Sequence, residues 1–241
     1  MKDKAEIVCI LDRSGSMQSF INDAIGGYNA FLADQKKIDK PADLTVVQFD
    51  NEYTVPYQGT LQDAPDMTRE SYVPRGSTAL LDAIGRTINN TGNKLRGMSE
   101  AERPDRVLVV IITDGQENSS QEFDLKKINE MISHQRGKYN WEFIFLAAGQ
   151  DAMAEAVKMG INPQFAINYM ARGPSAKGAY QVMSSAIGAS RTGSDVDVRY
   201  RLSDALCCDV DENGEAVKRE VVVPTSGPAA GRKVVVTRNP S

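Results

Sequence analysis

The chain is poor in cysteine, histidine and tryptophan, and it has no apolar run long enough to cross a membrane. Its 241 residues include three cysteines, one histidine and one tryptophan. Cys207 and Cys208 are adjacent, and adjacent cysteines pair only with strain, so a disulfide framework is not expected. No Cys-x-x-Cys spacing indicates a structural zinc site. Together with the lack of a signal-peptide-like run near Met1, these features predict a reducing, cytoplasmic setting without membrane contact.

The charge and the missing catalytic motifs narrow the classes of function. The net charge is −4 and charged residues make up 25% of the chain, whereas nucleic-acid binding usually requires a concentrated basic face. The single histidine, His134, lies in a polar Ser-His-Gln-Arg segment, so a catalytic Ser–His pair is not expected. The usual glycine-rich phosphate loops and the Gly-x-Ser-x-Gly nucleophile elbow are missing. We therefore expect neither a nucleic-acid partner nor an enzyme.

Apolar runs alternate with amphipathic stretches through most of the chain, which is typical of strands joined by crossover helices. The predicted strands are residues 7–11, 44–49, 53–61, 107–112, 141–146 and 165–168. Five helices are predicted, at residues 18–37, from about Thr78, from about Glu122, between residues 151 and 160, and at residues 175–189. In the third helix Leu125, Ile128 and Ile132 are expected to face inward. Asp151 is the expected cap of the fourth helix and Gly160 its expected stop. The turn at 50–52 predicts that the run 53–61 pairs antiparallel with the strand before it.

This order of elements predicts an α/β fold. We expect an open, doubly wound, mostly parallel sheet of about six strands, with helices on both faces. Residues 1–190 are expected to form this domain, and residues 191–241 a small β-rich C-terminal extension with strand-like runs at 220–223 and 233–236. Ligands of such folds bind outside the carboxyl ends of the strands, at the point where the strand order reverses.

Within the extension, the segment 209–220 fits two structures. Its acidic spacing matches the calcium loop of an EF-hand. It also fits a β-hairpin that turns at Asn213-Gly214, a pair favoured in type I′ turns, with residues 206–210 and 217–223 as its arms. The hairpin is the favoured interpretation, because the flanking residues are strand-like and an EF-hand loop lies between helices.

The residues best suited to a chemical role lie just past the first predicted strand. Asp12, Ser14 and Ser16 place a carboxylate and two hydroxyls at alternate positions on one tight turn. These are hard oxygen donors, which suit a small hard cation such as Mg²⁺. Thr78 and Asp114 offer further oxygens from later segments. Because Asp114 follows the 107–112 strand, we expect it to meet Asp12 at the same edge of the sheet.

These motifs resemble the von Willebrand factor type A domain with its metal-ion-dependent adhesion site. The first loop of that family, Asp-x-Ser-x-Ser, is matched by Asp12, Ser14 and Ser16. Its second-loop threonine is matched by Thr78 and its third-loop aspartate by Asp114, in the order the family has them. The resemblance covers the first predicted domain and leaves the extension unexplained. The residues around these motif positions resemble those of intracellular prokaryotic members more than those of extracellular adhesion domains.

The resemblance implies a Rossmann-like domain that binds Mg²⁺ or Mn²⁺ through these five side chains and engages an Asp or Glu carboxylate of a protein partner through the metal. Prokaryotic relatives often act as accessory or scaffold subunits beside AAA+ ATPases, so an assembly of that kind is the implied partner. The implied role is therefore binding rather than catalysis.

Two alternatives remain open at this point. A metal-dependent hydrolase acting on phosphoesters would need a general base, for which Glu117 and Asp50 are the nearby acidic candidates. A structural domain with a vestigial site would use the same residues only as helix caps and turns. For the metal-binding role, Gly15 and Gly76 are expected to let the first two loops turn sharply, and Gly115 to permit a conformational change in the third.

Overall fold

The described part of the chain folds around one six-stranded sheet. A computed structural model of the protein describes residues 3–148, 152–170, 173–193 and 208–218. The sheet strands are β1 (Ala5–Asp12), β2 (Ala42–Phe49), β3 (Tyr53–Thr60), β4 (Arg106–Thr113), β5 (Glu142–Ala148) and β6 (Ala166–Tyr169). The helices are α1 (Ile21–Lys36), α2 (Leu80–Gly97), α3 (Leu125–Tyr139), α4 (Ala152–Lys158) and α5 (Gly173–Thr192), with short 3₁₀ turns at Gly15–Phe20 and Pro163–Phe165. Two further strands, β7 (Cys208–Val210) and β8 (Ala216–Lys218), form a separate hairpin.

The strand order confirms the predicted doubly wound sheet. The order is β3-β2-β1-β4-β5-β6, and every pairing is parallel except that of β2 with β3. From β1 the chain proceeds outward to β2 and β3, then returns to β4 on the other side of β1 and proceeds outward to β6. The order therefore reverses between β1 and β4, and the carboxyl ends of these two strands form the expected ligand-binding edge.

The two faces of the sheet are covered by different helices. Helices α1 and α5 pack together on one face, over Ile7, Cys9 and Leu11 of β1, and helices α2, α3 and α4 cover the other face, over Val8 and Ile10. Every residue of β1 and β4 is buried, as expected for central parallel strands that read as continuous apolar runs. Within the described ranges, no helix combines the length and apolar character that a membrane span requires.

Three predicted helix starts are corrected by the structure. Helix α1 begins at Ile21, after a 3₁₀ turn, and α2 begins at Leu80 rather than near Thr78. Helix α3 begins at Leu125, because the carboxylate of Asp124 caps it by accepting a hydrogen bond from the Lys127 amide. Leu125 is 38% exposed and does not face inward, whereas Ile128 and Ile132 are fully buried as predicted. Phe123 packs against Gly85 of α2 in its stead.

The hairpin interpretation of the extension agrees with the structure, but the predicted turn type was wrong. Strands β7 and β8 pair antiparallel around residues 211–215, so the segment lies between strands rather than helices. Only Gly214, with φ of 82°, adopts the left-handed conformation, whereas a type I′ turn would require it at Asn213 as well. The Asp211 carboxylate accepts hydrogen bonds from the amides of Asn213 and Glu215, both at 2.9 Å. These bonds fix the turn locally.

The hairpin packs against the start of α5. Val210 is buried in the same core as α1 and α5, and its carbonyl accepts a hydrogen bond from the Ser175 hydroxyl at 3.2 Å. A Cβ on Gly178 would lie 2.3 Å from the carbonyl oxygen of Gly214, so glycine is required for this close approach. The runs at 220–223 and 233–236 and the Asp151 cap lie outside the described residues, and the division of the chain at residue 190 stays a prediction.

The predicted stop at Gly160 is confirmed. Gly160 has φ of 80° and follows the last turn of α4. Its amide donates to the Val157 carbonyl at 3.0 Å, and the Ile161 amide donates to the Ala156 carbonyl at 2.8 Å. This pair of bonds is the Schellman motif, which satisfies the last carbonyls of a helix and requires a residue that tolerates the left-handed region.

We predict that Gly160→Ala lowers the free energy of unfolding by about 1–2 kcal/mol, since an alanine side chain is strained at this backbone conformation. Gly137→Ala in α3 is the matched control, because a Cβ there meets nothing within 4 Å. Alanine is the better helix former, so the control should keep or raise the stability. Urea unfolding of both variants measures the difference, and equal losses would contradict this account of the α4 terminus.

Candidate metal centre

The structure brings four of the five predicted ligands into one chain of hydrogen bonds. The Ser14 amide donates to Asp12 Oδ1 at 2.7 Å. The hydroxyl oxygens of Ser14 and Ser16 lie 3.1 Å apart, and the Ser16 hydroxyl donates to Asp114 Oδ1 at 2.7 Å. Ninety-eight residues separate Ser16 from Asp114 in the chain. The adjacency of β1 and β4 is what joins them.

The fifth residue, Thr78, borders the same space from the second loop. A Cβ placed on Gly115 would lie 2.9 Å from Thr78 Oγ1 and 3.6 Å from Asp12 Oδ2. Both oxygens therefore lie close to the position that a side chain at residue 115 would occupy, and glycine leaves that position free. Gly115 serves this close approach in the structure, and the conformational change expected of it stays a prediction. Thr78 is not the cap of α2, because Ala79 occupies that position.

Burial makes the two carboxylates costly to ionise. Asp12 is 1% exposed, and its burial raises its pKa, as does the nearby charge of Asp114, while hydrogen bonds from Thr113 and Ser14 lower it. Burial also raises the pKa of Asp114, against the hydrogen bond from Ser16. Within the described ranges neither carboxylate has a lysine or arginine within salt-bridge distance. The site thus holds one buried and one half-buried acid, and neither has a counter-ion among the described residues.

The donor set fits a hard divalent cation. It comprises two carboxylates and three hydroxyls, the kind of ligand that Mg²⁺ and Mn²⁺ favour. No group of three or more histidine, cysteine or acidic side chains gathers anywhere in the described part of the chain. The described residues therefore contain no metal site built from cysteine or histidine ligands. Asp12, Ser14 and Thr78 are buried while Ser16 is exposed and Asp114 half-buried, so the set is open to solvent on one side.

The second loop is attached to the first through the backbone. Gly76 has φ of 66°, as its predicted role requires, and a Cβ there would lie 2.0 Å from Asn51 Oδ1. Its carbonyl accepts a hydrogen bond from the Gly15 amide at 3.1 Å, and the Arg75 amide donates to the Arg13 carbonyl at 2.8 Å. Gly15 has no left-handed φ, so the expectation that the first loop needs it for a sharp turn was wrong.

Glu117 and Asp82 lock the third loop onto the start of α2. Glu117 accepts hydrogen bonds from the Leu81 amide at 2.9 Å and from the amides of two residues of its own loop, Ser119 and Ser120. In return, the carboxylate of Asp82 accepts three amides of the loop at 2.9 Å each, those of Gln121, Glu122 and Phe123. The loop acid therefore accepts a backbone amide of the helix, and the helix acid accepts backbone amides of the loop.

A buried ionic cluster supports the first loop from the side of β2. Asp50 is fully buried, and its Oδ2 lies 3.1 Å from Arg13 Nε and 2.9 Å from Arg75 Nε. Its Oδ1 accepts the Glu52 amide at 2.5 Å, and Glu52 pairs with Arg75. Arg13 stands between Asp12 and Ser14, so this cluster anchors the residue between two predicted ligands.

Sequence reasoning missed several of these supporting residues. Thr113 donates to Asp12 Oδ2 at 2.6 Å, and the buried Tyr72 hydroxyl donates to the Asp12 carbonyl. Glu117 and Asp50 had been the candidate general bases of a hydrolase. The structure occupies Glu117 with three backbone amides and the Ser120 hydroxyl, and Asp50 with one amide and two arginines, so in this arrangement neither is free to activate water.

Comparison with solved structures identifies the fold. The proximal thread matrix protein 1 of the mussel byssus, in a structure with a zinc-occupied MIDAS motif, matches at a TM-score of 0.51 and 15% identity over 79% of this chain and 46% of that one. A von Willebrand factor type A protein from Catenulispora acidiphila matches at 0.50 and 16% over 76% and 42%. The PilB minor pilin from Streptococcus sanguinis matches at 0.55 and 10% over 80% and 64%.

The chain has the fold of a von Willebrand factor type A domain. It spans less than two thirds of the length of each of these structures. No model of a known protein family and no curated protein sequence matches it. At identities of 10–16% the likeness is one of fold, and the chemistry of the site has to be argued from this chain's own residues.

We predict that Glu117→Gln lowers the free energy of unfolding by about 1–3 kcal/mol, because the amide nitrogen of glutamine cannot accept the hydrogen bonds now made to the carboxylate. Glu122→Gln in the same loop is the control, since its exposed pair with Arg86 stabilises the fold little. Thermal unfolding of both variants is the measurement. Equal losses of unfolding free energy in the two variants would show that the hydrogen bonds of Glu117 do not order this loop.

Proposed function

We propose that this protein is a binding module that holds Mg²⁺ or Mn²⁺ through Asp12, Ser14, Ser16, Thr78 and Asp114 and engages an acidic residue of a protein partner there. The observation that carries this proposal is the convergence of five oxygen-bearing side chains from three distant segments. Two of the five are acids with raised pKa values that have no counter-ion among the described residues. A divalent cation would neutralise both carboxylates, whose burial is otherwise unfavourable.

Each residue has a distinct part in this proposal. The hydroxyls of Ser14, Ser16 and Thr78 are neutral ligands, and Asp12 and Asp114 bind directly or through ordered water. When bound, the cation supplies an electrophilic position that attracts one further anionic oxygen. The exposure of Ser16 and the half-exposed Asp114 leave that position on the solvent side, where a partner's carboxylate can reach it. The buried residues Thr113 and Tyr72 orient Asp12 from behind.

The nature of the partner is proposed from the same chemistry. A carboxylate is a hard anionic oxygen donor, so an Asp or Glu side chain suits the open position. The zinc-occupied MIDAS motif named for the mussel protein supports a divalent metal in a domain of this fold. The resemblance to prokaryotic accessory and scaffold proteins favours a partner within an AAA+ ATPase assembly, and this stays a prediction.

Two substitutions of Thr78 test the metal site with little change of shape. Thr78→Val removes the hydroxyl and keeps the volume, and Thr78→Ser keeps the hydroxyl. We predict that calorimetry detects Mg²⁺ or Mn²⁺ binding to the parent, at least about tenfold weaker binding to the valine variant and near-parental binding to the serine variant. If the parent binds no metal at millimolar concentrations, a vestigial site is favoured. If the valine and serine variants both bind metal as tightly as the parent, Thr78 is not a ligand.

The partner is tested by metal-dependent capture. Immobilised parent protein in Mg²⁺ should retain a partner that is released by chelator and that Thr78→Val fails to retain. The control is Asp39→Asn, which changes an exposed acid just before β2 at the opposite edge of the sheet and should retain the partner fully. A partner held equally with and without chelator binds another surface and contradicts the proposed use of the site.

The pKa shifts predict how metal stabilisation varies with pH. Asp12 and Asp114 have pKa values raised above those of the unfolded chain, so their ionisation costs stability as the pH rises through the folded-state values. A bound cation removes that cost and competes with protons. We predict a larger Mg²⁺-induced rise in Tm at about pH 8 than at about pH 5, measured by differential scanning fluorimetry. A rise independent of pH would mean that the cation binds elsewhere.

A further inference from the structure

A second candidate site lies at the opposite edge of the sheet from the metal centre. There the last turns of α2 and α3 and the beginnings of β4 and β5 enclose a cleft of about 420 Å³. This volume is in the range of sites for small molecules. Val107 lies near the amino end of β4 and Trp141 directly before β5, whereas Asp12 ends β1 and Asp114 directly follows β4. The cleft is therefore separated from the metal centre by the height of the sheet.

Two arginines at this cleft have no acidic partner. Within the described ranges, no carboxylate lies within salt-bridge distance of Arg96 or Arg103, in contrast to Arg75 and Arg86, which are both ion-paired. Arg103 is held in place because its Nε donates to the Leu95 carbonyl at 2.9 Å and its Nη2 to the Arg96 carbonyl at 3.4 Å. Its Nη1 makes no hydrogen bond there. A guanidinium fixed in this way is ready to bind a phosphate or carboxylate.

The remainder of the lining is suited to a flat, polar ring. Tyr139 is 53% exposed, with the His134 ring edge-on at 5.6 Å and the Lys138 ammonium 5.4 Å from the centre of its ring. Trp141 also lines the cleft, but only 4% of it is exposed. Apolar side chains of Ile88 and Leu95 line the cleft beside them. Aromatic walls favour stacking with a heteroaromatic base. A small inorganic anion or an aliphatic acid would leave this part of the surface unused.

One acid and several amides complete the lining. Asp105 borders the cleft, and its carboxylate makes no hydrogen bond or ion pair within the described residues. A carboxylate in this position accepts from a ribose hydroxyl or from the amino group of a base, as the acid of dinucleotide sites does. Asn89, Asn93 and Gln135 supply both donors and acceptors for the edge of a planar ring.

We propose that this cleft binds a nucleoside monophosphate, with the phosphate at Arg96 and Arg103, the base against the exposed ring of Tyr139, and the sugar near Asp105. Recognition of the phosphate is by side chains, which is consistent with a sequence that has none of the usual glycine-rich phosphate loops. The binding needs no divalent cation and does not depend on the function proposed for the other edge of the sheet.

Trp141 is the only tryptophan of the chain, so its fluorescence reports on the cleft directly. The full chain is titrated with AMP, GMP, CMP and UMP in the presence of a metal chelator, with excitation at the red edge where the bases do not absorb. At least one nucleotide should give a saturable change with a Kd below about 1 mM. The matching nucleoside and inorganic phosphate should each bind at least about tenfold more weakly, because the nucleoside lacks the phosphate and inorganic phosphate lacks the base and sugar.

Three arginine variants decide which side chains carry the binding. Arg96→Gln, which disturbs only a local contact with Asn93, and Arg103→Gln should each weaken binding at least about tenfold. Arg86→Gln, earlier on α2 and outside the cleft, should leave it unchanged within about twofold. The proposal is overturned if no nucleotide saturates the signal, if phosphate alone binds as tightly, or if Arg96→Gln and Arg86→Gln behave alike.

Discussion

Strands β1 and β4 pair in parallel at the centre of the sheet, in register from Ala5 opposite Arg106 to Leu11 opposite Ile112. This pairing places Asp12 beside Thr113, which donates a hydrogen bond to it, and brings Ser16 within hydrogen-bond distance of Asp114. Everything proposed for the metal centre depends on that register. A slip by one residue would turn alternate side chains to the opposite face and separate the two carboxylates.

The loops at this edge are ordered largely by carboxylates that accept backbone amides. Glu117 and Asp82 do this between the third loop and α2, and Asp50 does it for the turn after β2 while pairing with Arg13 and Arg75. These acids are satisfied by the protein itself. Asp12 and Asp114 differ, since one is buried and the other half-buried, and among the described residues both accept hydrogen bonds only from neutral donors. That contrast is the reason for proposing a binding centre at Asp12 and Asp114 and a structural role for the other acids.

The main features of the fold, and the meeting of Asp12, Ser14 and Ser16 with Asp114, could be predicted from the sequence because both depend on strong local signals. Fully apolar runs predicted central parallel strands, and the order of strands and helices predicted which ends would meet. The supporting contacts could not be predicted, because the bonds of Glu117, Asp82 and Tyr72 join residues with no periodic spacing between them. Leu125 was misjudged since Phe123 packs against α2, and the turn at Asn213 was misjudged since a dipeptide preference does not fix which residues become left-handed.

The central claim is that five oxygen donors share one cation, and the most direct test is a crystal structure of the protein grown with Mn²⁺, recorded with anomalous scattering. The account predicts one strong anomalous peak bounded by the side chains of Asp12, Ser14, Ser16, Thr78 and Asp114. A peak at any other group of residues, with this edge of the sheet free of anomalous density at millimolar Mn²⁺, would contradict it.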